Sequence, residues 1–438
     1  MKRSTLNLPR FGSGIGLHRV HYAAESLGIS LDKLSKKSIV VTGTNGKGTV
    51  AKALSEIARY CGRSTALFTS PHTFEFNERF CINGNNISDD ALEQTATIVS
   101  EIIDHYEERN PHDKFGEFEA WFLQALCIFD TPDIDFIVFE AGIGGRYDPT
   151  RIIRPRLSCI TSIDLEHTEL LGNSTSEIIL DKLDIAPPSS KIVLGEGLLA
   201  HKKRVCTVSW LKGVKSIWSN EIFDSIKSTF ESGNNRIQIT WRDGASSVFH
   251  TPMLGRFAAE NIALSCALYR LFFGESHFGN SQEAISRALL GLNWPGRFER
   301  IAGEVDFLID FAHTPKAIEG TLADLSALFN ERPKVFLVGV SKGRERSRII
   351  EEIASSGIDF VAGASHKGML PEEIKSVIEA KNSEANVLTF QSPDEAYRAA
   401  VELANEKNAM ICVLGGYFWG ATIRALTRNK DFRAIDFS

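Results

Sequence analysis

A glycine-rich loop between a strand-like run and a helix-like run constrains the fold of this chain more than any other feature. Ser38–Thr42 is a short β-branched run, and Gly46–Tyr60 shows helical spacing of its apolar residues. The junction, residues 43–49, reads G-T-N-G-K-G-T. Glycines let consecutive backbone N–H groups point into one concavity, which binds phosphate oxygens at a helix start. This pattern predicts an α/β fold with a phosphate-binding loop at the end of a parallel strand.

The loop also predicts which groups contact a nucleotide. The Lys47 ammonium is expected beside the β- and γ-phosphates, and the Thr49 hydroxyl is placed to bind Mg²⁺. The spacing differs from G-x-x-x-x-G-K-[ST] by one inserted glycine, Gly48. The alternative is a plain strand-to-helix turn with a surface lysine. The expected nucleotide contacts in the loop are Gly43, Thr44, Asn45, Gly46, Lys47, Gly48 and Thr49.

Strand and helix patterns alternate along most of the chain, which is typical of βαβ units with a parallel sheet. Residues 203–252 break the alternation, and we interpret them as an antiparallel excursion attached to the first domain. Asn293-Trp294-Pro295-Gly296 interrupts the periodicity again, and a second strand–helix alternation follows. We therefore predict an N-terminal P-loop domain, residues 1–295, and a smaller Rossmann-like C-terminal α/β domain, residues 296–438.

Composition excludes several classes of protein. The net charge is -6, so no basic excess is available to neutralise nucleic-acid phosphates. The seven cysteines are scattered without a C-x-x-C pair, which indicates free thiols in a reducing cytosol. Polar residues follow Met1–Ser4, and no stretch approaches the roughly 20 apolar residues of a membrane span. We expect a cytoplasmic chain with neither a nucleic-acid partner nor a membrane.

Residues 41–49 closely resemble the phosphate loop of folylpolyglutamate synthases and dihydrofolate synthases, a branch of the Mur ligase family. The resemblance continues in order along nearly the whole chain. It includes E-A-G-I-G-G-R at 140–146, P-G-R-F at 295–298 and D-F-A-H-T-P at 310–315. Shorter matches lie at residues 16–20, 27–28, 69–72, 77–79, 148–150, 164–172 and 181–182.

The resemblance implies a chemistry in which ATP phosphorylates a carboxylate and an amine then attacks the acyl phosphate. Transfer of the γ-phosphoryl group develops charge that metal ions and lysines stabilise. Thr49, Ser70 and Glu140 are the implied Mg²⁺ ligands. His167 and Lys182 are implied at a second metal, the lysine as a carbamate. The residues implied to act in catalysis are Lys47, His167, Lys182 and His313.

The same resemblance implies nucleotide contacts outside the loop. Asn261 would contact adenine, Arg297 a phosphate, Asp310 the ribose side and His313 the phosphate region. Structural alternatives remain open for these residues and the metal set. Asp310 and His313 could cap the following helix, and Arg297 could form a hinge salt bridge. Lys182 could be a solvated helix lysine, Glu140 a strand-end charge, His167 a cap and Ser70 a turn residue.

Three departures from the family pattern concern substrate choice. Thr314 replaces the folate branch's asparagine, and Phe257 and Ala258 replace the histidine and glutamine of G-x-H-Q-x-x-N. The loops at 339–344 and 365–368, which help to hold the amino acid in relatives, match only loosely. Asp181, Leu183 and Asp184 also differ from the usual E-K-A-G-I.

We expect a monomeric, ADP-forming amide ligase that joins L-glutamate to dihydropteroate and/or folate. Its substrates are small molecules: a pterin- or folate-type carboxylic acid, L-glutamate or another amino acid, and ATP with Mg²⁺. One alternative is a family member that ligates a different acid and amino acid. A second alternative is a nucleotide-binding protein without catalysis.

Overall fold

The computed structural model describes residue 6, residues 8–341, residues 345–435 and residue 437. Met1–Ser4 and the part 342–344 of the predicted substrate loop lie outside the described residues. The first sheet contains β1 Ser38–Thr42, β2 Thr65–Phe68, β3 Phe80–Ile82, β4 Asn85–Asn86, β5 Phe136–Glu140, β6 Leu157–Ile160, β7 Lys191–Leu194 and β8 Lys215–Trp218. Their order is β4-β3-β2-β5-β1-β6-β7-β8; the β2–β3 and β3–β4 pairs are antiparallel and the other neighbouring pairs are parallel.

Helices cover both faces of this sheet. They are α1 Leu17–Ser26, α2 Leu31–Lys37, α3 Lys47–Tyr60, α4 Asp89–Arg109, α5 Glu117–Phe129, α6 Thr168–Leu171, α7 Thr175–Leu183, α8 Lys202–Leu211, α9 Ser219–Ile222, α10 Arg256–Phe273, α11 Glu275–Asn280 and α12 Gln282–Leu290. Val40 points into the core with α4 and α5, whereas Ile39 and Val41 point into the core with α3 and α10. A strand buried on both faces carries apolar side chains at successive positions, as Ile39, Val40 and Val41 do in β1.

The second sheet is antiparallel and consists of β9 Phe223–Glu231, β10 Asn234–Trp241 and β11 Ser246–Thr251, with β10 in the middle. Its residues Ile237, Ile239 and Trp241 join the core of α3 and α10. The predicted antiparallel excursion over 203–252 is therefore too long. Residues 202–218 form α8 and β8, and β8 pairs in parallel with β7 in the first sheet. Because α8 contains many polar residues, the hydrophobic pattern of the sequence did not reveal α8 and β8.

The third sheet is formed by β12 Glu299–Ile301, β13 Phe307–Ile309, β14 Lys334–Val338, β15 Asp359–Gly363, β16 Asn386–Phe390 and β17 Met410–Leu414. Its order is β12-β13-β17-β14-β15-β16, and only the β12–β13 pair is antiparallel. The accompanying helices are α13 Pro315–Phe329, α14 Arg346–Ala354, α15 Pro371–Lys381, α16 Pro393–Lys407 and α17 Tyr417–Thr427. The predicted α/β class with two largely parallel sheets is confirmed. The domain limits 1–295 and 296–438 remain a prediction.

Short 3₁₀ helices complete the connections, at Phe76–Arg79, Pro149–Ile153, Glu196–His201 and Phe432–Ala434. The seven cysteines are free thiols, as the sequence predicts. No helix among the described residues has both the length and the apolar character needed to cross a membrane.

Candidate active site

The phosphate loop follows β1 and is held by the residues after β6. Gly43 and Gly46 adopt positive φ angles of 145° and 86°, which a side chain would strain. The Asn45 N–H donates to the Ser162 hydroxyl at 2.8 Å, and the Thr161 hydroxyl donates to the Asn45 carbonyl at 2.6 Å. These contacts fix the loop's shape without using the N–H groups at the start of α3.

Lys47 and Thr49 occupy the first turn of α3. The Lys47 Nζ donates to the carbonyl oxygens of Gly43, at 2.8 Å, and Thr44, at 3.1 Å. Thr49 is 4% exposed. The lysine thus lies over its own loop on neutral acceptors, where an anionic phosphate would compete well for the ammonium.

Glu140 lies at the carboxyl end of β5, directly beside β1, because Val41 and Glu140 are paired in the parallel register. Its Oε2 accepts the backbone N–H of Ser70 at 3.0 Å. Burial raises the pKa of this carboxyl group, and the charges of Lys47 and Arg297 act in the opposite direction. The buried position next to Lys47 favours the site interpretation of Glu140 over that of a solvated strand-end charge.

The inserted glycine of the loop has a steric explanation. A β-carbon on Gly48 would lie 3.1 Å from Cζ2 of Trp294 and 3.3 Å from Glu140 Oε2. Trp294 belongs to the segment that leads into the second alternation. Gly48 therefore allows that indole and the Glu140 carboxylate to approach the first turn of α3.

Lys182 lies on α7 and is 0% exposed, so it is not a solvated helix lysine. Its Nζ donates to the Glu166 carboxylate at 2.7 Å and to the Gly43 carbonyl at 3.0 Å. Burial lowers the pKa of Lys182, while Glu166 acts in the opposite direction. Burial alone would raise the pKa of Glu166, but the charges of Lys47 and Lys182 lower it to about 2.

His167 precedes the short helix α6 at a left-handed backbone position with φ 44°. Its imidazole makes no capping hydrogen bond to that helix. Burial lowers the pKa of His167, although part of the ring is open to solvent, and the charges of Glu166, Lys47, His313 and Lys182 all act on it. His167 is thus brought into the same electrostatic neighbourhood as the other predicted catalytic residues.

Two aspartates hold the glycine-rich segment after Glu140. The Asp148 carboxylate accepts the N–H groups of Gly142, at 2.8 Å, and Ile143, at 3.0 Å. Asp181 accepts the N–H of Gly145 at 2.7 Å. The departure at Asp181 therefore keeps a carboxylate in a bond that orients α7 beside the loop.

A cavity of about 740 Å³ opens between the phosphate loop and the C-terminal part of the chain, which forms the third sheet. Seven predicted site residues line it: Asn45, Gly46, Thr49, Asn261, Arg297, Asp310 and His313. Asn261 is close to the loop, since a β-carbon on Gly46 would lie 2.4 Å from its Oδ1. Lys47, Ser70, Glu140 and Lys182 are joined to the loop by the contacts described above. These seven predicted nucleotide contacts, from both parts of the chain, therefore face one cavity.

Asp310 holds the segment that enters the third sheet. Its carboxylate accepts the backbone N–H groups of Phe298, at 2.7 Å, and Ala312, at 2.8 Å. The cap of α13 is Thr314, whose hydroxyl accepts the Ala317 N–H at 3.3 Å. The capping alternative for Asp310 and His313 is thus wrong. Thr314 and asparagine are both good capping residues, which explains this departure.

His313 lies on the cavity wall, exposed to the cleft. Its Nδ1 is 3.2 Å from the Phe311 carbonyl oxygen, which fits an Nδ1–H donor and leaves Nε2 for a ligand. Burial in the surrounding protein lowers its pKa, and the Arg297 charge acts in the same direction. The hydrogen bond to the Phe311 carbonyl acts on this pKa in the opposite direction.

Sequence reasoning missed two parts of the site. Glu166, the partner of Lys182, stands inside a quoted motif but had no assigned role. The second missed part is a link between the P-loop part and the third-sheet part of the chain. The Tyr417 hydroxyl donates to the His72 carbonyl, and the His72 Nδ1 accepts a hydrogen bond from Arg79 Nε at 2.9 Å. Arg79 also lies 4.2 Å over the Trp121 ring. The motifs at 69–72 and 77–79 contain His72 and Arg79, but neither motif indicated this link.

The metal prediction is only partly reflected in the geometry. Among the residues that the structure describes, no group of three or more histidine, cysteine, aspartate or glutamate side chains could hold a metal ion. Thr49, Ser70 and Glu140 lie around the loop as two hydroxyls and one carboxylate. Lys182, as an ammonium paired with Glu166, cannot be a ligand in that form.

Comparisons with known proteins agree with this arrangement. Residues 41–269 match the Mur ligase middle domain, and residues 296–416 match the Mur ligase, glutamate ligase domain. The folylpolyglutamate synthase of Lacticaseibacillus casei is 27% identical over 73% of this chain and 74% of its own. The dihydrofolate synthase/folylpolyglutamate synthase of Bacillus subtilis is 25% identical over 95% of each chain.

A solved structure shares the fold. The folylpolyglutamate synthase of Mycobacterium tuberculosis, complexed with ADP and AMPPCP, superposes with a TM-score of 0.85 at 22% identity. That match covers 95% of this chain and 96% of the other. Because the middle-domain match alone spans more than half of the sequence, the chain belongs to the Mur ligase family.

Proposed function

We propose that this protein is an ATP-dependent, ADP-forming ligase that joins L-glutamate to dihydropteroate and/or folate. The observation that carries the proposal is the cavity that the phosphate loop shares with Arg297, Asp310 and His313. Such a site lets both halves of the chain hold one nucleotide. The relatives' names, folylpolyglutamate synthase and dihydrofolate synthase, supply the substrate class.

In the first step, a carboxylate oxygen of the acid attacks the γ-phosphorus of ATP. The bond to the β,γ-bridging oxygen breaks, ADP leaves and an acyl phosphate forms. Lys47 turns from the carbonyls of Gly43 and Thr44 towards the β- and γ-phosphates. Arg297 adds a second positive charge from the opposite wall. Charge stabilisation of this kind is the main protein contribution to phosphoryl transfer.

In the second step, the glutamate nitrogen attacks the acyl carbon, phosphate leaves and the nitrogen loses a proton. Closure of the two halves excludes water that would otherwise hydrolyse the acyl phosphate. The His72 carbonyl, held by Tyr417, is one of the contacts that would maintain this closure. His313 Nε2 is available to the phosphate region throughout.

Mg²⁺ fits the residues present at the loop. The Thr49 and Ser70 hydroxyls and the Glu140 carboxylate are hard oxygen donors, and Mg²⁺ commonly binds one or two protein groups together with phosphate oxygens and water. When bound, the ion neutralises charge on the β- and γ-phosphates. We assign His167 and carbamylated Lys182 to a second metal. Burial favours the neutral amine that reacts with carbon dioxide, whereas the Glu166 carboxylate favours the ammonium.

We also propose that the protein acts as a cytoplasmic monomer on small-molecule substrates, without a nucleic-acid partner. The net charge of -6 supports the absence of a nucleic-acid partner, and the free cysteines support a reducing compartment.

Phosphate release from Mg·ATP tests the proposal. The assay contains glutamate with dihydropteroate, with tetrahydrofolate or without an acid, and Lys47→Ala serves as the blank. Release that requires both a pterin acid and glutamate is the expected result. ATP binding without pterin-dependent turnover would instead favour a ligase for another acid, a candidate suggested by Phe257 and Ala258. No acid-dependent turnover with any acid and amine would favour the non-catalytic alternative.

A further inference from the structure

Phe257 is an aromatic residue that the family pattern does not account for. Its side chain is 42% exposed, although most large apolar side chains of the chain are buried. A single exposed phenylalanine needs no explanation by itself. This one, however, lines the cavity that contains the phosphate loop and Asn261.

Helix geometry places Phe257 at a defined distance from the loop. Phe257 and Asn261 are four residues apart on α10, so they share one face about one turn, roughly 6 Å, from each other along the axis. Asn261 lies against Gly46 of the phosphate loop. Phe257 is therefore one turn farther from the phosphates than Asn261, in the same cavity.

Contacts with both halves hold the Phe257 ring in place. The Arg256 guanidinium lies 5.1 Å from the ring centroid. The ring edge rests on α13, because a β-carbon on Gly320 would lie only 2.2 Å from Cε2. Asp324, also on α13, accepts the Arg256 N–H at 3.1 Å and fixes the start of α10. Gly320 thus provides the space that the ring occupies between the two helices.

We propose that Phe257 is a nucleotide-binding residue that stacks on the purine base of the bound nucleotide. The inference rests on the proposed function. The exposed part of the ring offers a flat apolar surface to a base whose phosphates lie on residues 43–49. Base–aromatic stacking tolerates different bases and does not require a hydrogen bond. The ring takes the place of the histidine that the family pattern has at this position.

Calorimetric titration with ADP and with inorganic tripolyphosphate tests the inference, using Mg²⁺ throughout. Phe257→Ala is expected to weaken ADP binding about tenfold and to leave tripolyphosphate binding unchanged. Phe257→Tyr keeps the ring and should bind ADP like the wild type. Equal losses for both ligands, or no loss for ADP, would overturn the inference.

Gly320→Ala provides a second test that does not alter the ring itself. Alanine is the better helix former, so α13 should not be destabilised. The added methyl group must push Phe257 aside, and ADP binding should weaken. In the Phe257→Ala background the same change should have no effect, and an equal effect in both backgrounds would contradict the inference.

These measurements also separate the two proposals. If the wild-type chain binds ADP and Phe257→Ala binds it equally well, the stacking alone is overturned. Wild-type binding with no pterin-dependent turnover leaves the stacking intact and overturns the substrate assignment. Absence of ADP binding by the wild type overturns both.

Discussion

Two lysines donate to the same carbonyl oxygen, that of Gly43, from different environments. Lys47 Nζ lies 2.8 Å from it and Lys182 Nζ lies 3.0 Å from it. Lys47 is partly exposed, and its other acceptor is the neutral carbonyl of Thr44. Lys182 is fully buried and forms an ion pair with Glu166.

The difference shows how one loop can contain both a mobile and a fixed positive charge. Lys47 gives up only two neutral acceptors when it turns to a phosphate, and it gains charge-assisted hydrogen bonds. Lys182 cannot move without leaving the Glu166 carboxylate buried and uncompensated, which is costly. We therefore expect Lys47 to serve phosphoryl transfer and the unmodified Lys182 ammonium to stay behind the loop, until carbamylation removes its charge and its pairing with Glu166.

The largest effect is expected for Lys47→Ala. The variant should lose roughly a thousandfold in kcat, because a charge that stabilises the transition state is removed. Its free energy of unfolding should fall less than that of Lys182→Met, since the side chain is partly exposed and hydrogen-bonded only to carbonyls, although its charge also stabilises the ionised Glu166. Steady-state phosphate release and urea unfolding would show the two results. A large loss of stability would contradict the assignment of Lys47 as the mobile charge.

Lys182→Met, in contrast to Lys47→Ala, should lower the free energy of unfolding substantially. Removing one partner leaves Glu166 as a buried unpaired charge, and we expect a loss of about 3 kcal/mol in the free energy of unfolding. The double variant Lys182→Met/Glu166→Gln should recover much of that loss without recovering activity. Urea unfolding of the three proteins measures the difference. Equal stabilities of the single and double variants would show that the ion pair is not the cause.

The Glu166–Lys182 pair also predicts a pH dependence of stability. The pKa of Glu166 is lowered from 4.5 to about 2, so the folded state favours the ionised form. Its contribution is present above pH 4.5 and is lost as the pH falls towards 2. Unfolding measured across this range should show a steeper decline for the wild type than for Glu166→Gln. Parallel declines would mean that other carboxylates dominate.

The smallest effect is expected for Gly48→Ala, which leaves Lys47 in place but adds a methyl group at the next residue. The new methyl group would press on Trp294 and the Glu140 carboxylate by a few tenths of an ångström. A displacement of this size should lower kcat by no more than about tenfold. Kinetics of Gly48→Ala beside Gly48→Ala/Trp294→Leu would show whether the indole causes the loss, since the second variant makes room for the methyl group.

Several elements could be predicted from the sequence because one local signal dominated. The run of β1, Ser38–Thr42, was predicted with its observed limits, and the helical spacing of Gly46–Tyr60 corresponds to α3, Lys47–Tyr60. Strand β8 was missed because Lys215–Trp218 has mixed polarity at the sheet edge. Strand β9 also escaped prediction, since its partly exposed residues show little alternation. Burial of an edge strand depends on its partners, which local periodicity does not reveal.

The residues of the candidate site also fall into two groups: those that motifs predicted and those whose pairing only the structure reveals. The phosphate loop and the cavity residues Asn261, Arg297, Asp310 and His313 came from motifs, and the structure brings them together. The Lys182–Glu166 pair joins residues 16 positions apart, and the Tyr417–His72 bond joins residues 345 positions apart. No pattern in the sequence indicates these pairings.

The sequence by itself determined the loop, the α/β class and the family, because glycine positions and apolar periodicity are local consequences of backbone geometry. Only the tertiary structure decided which charges are buried and which side chains meet across the halves. Lys47 and Lys182 are the same residue type at the same carbonyl, and their different surroundings distinguish them. Burial and ion pairing depend on every element packed around a group, and so they follow from the folded chain as a whole.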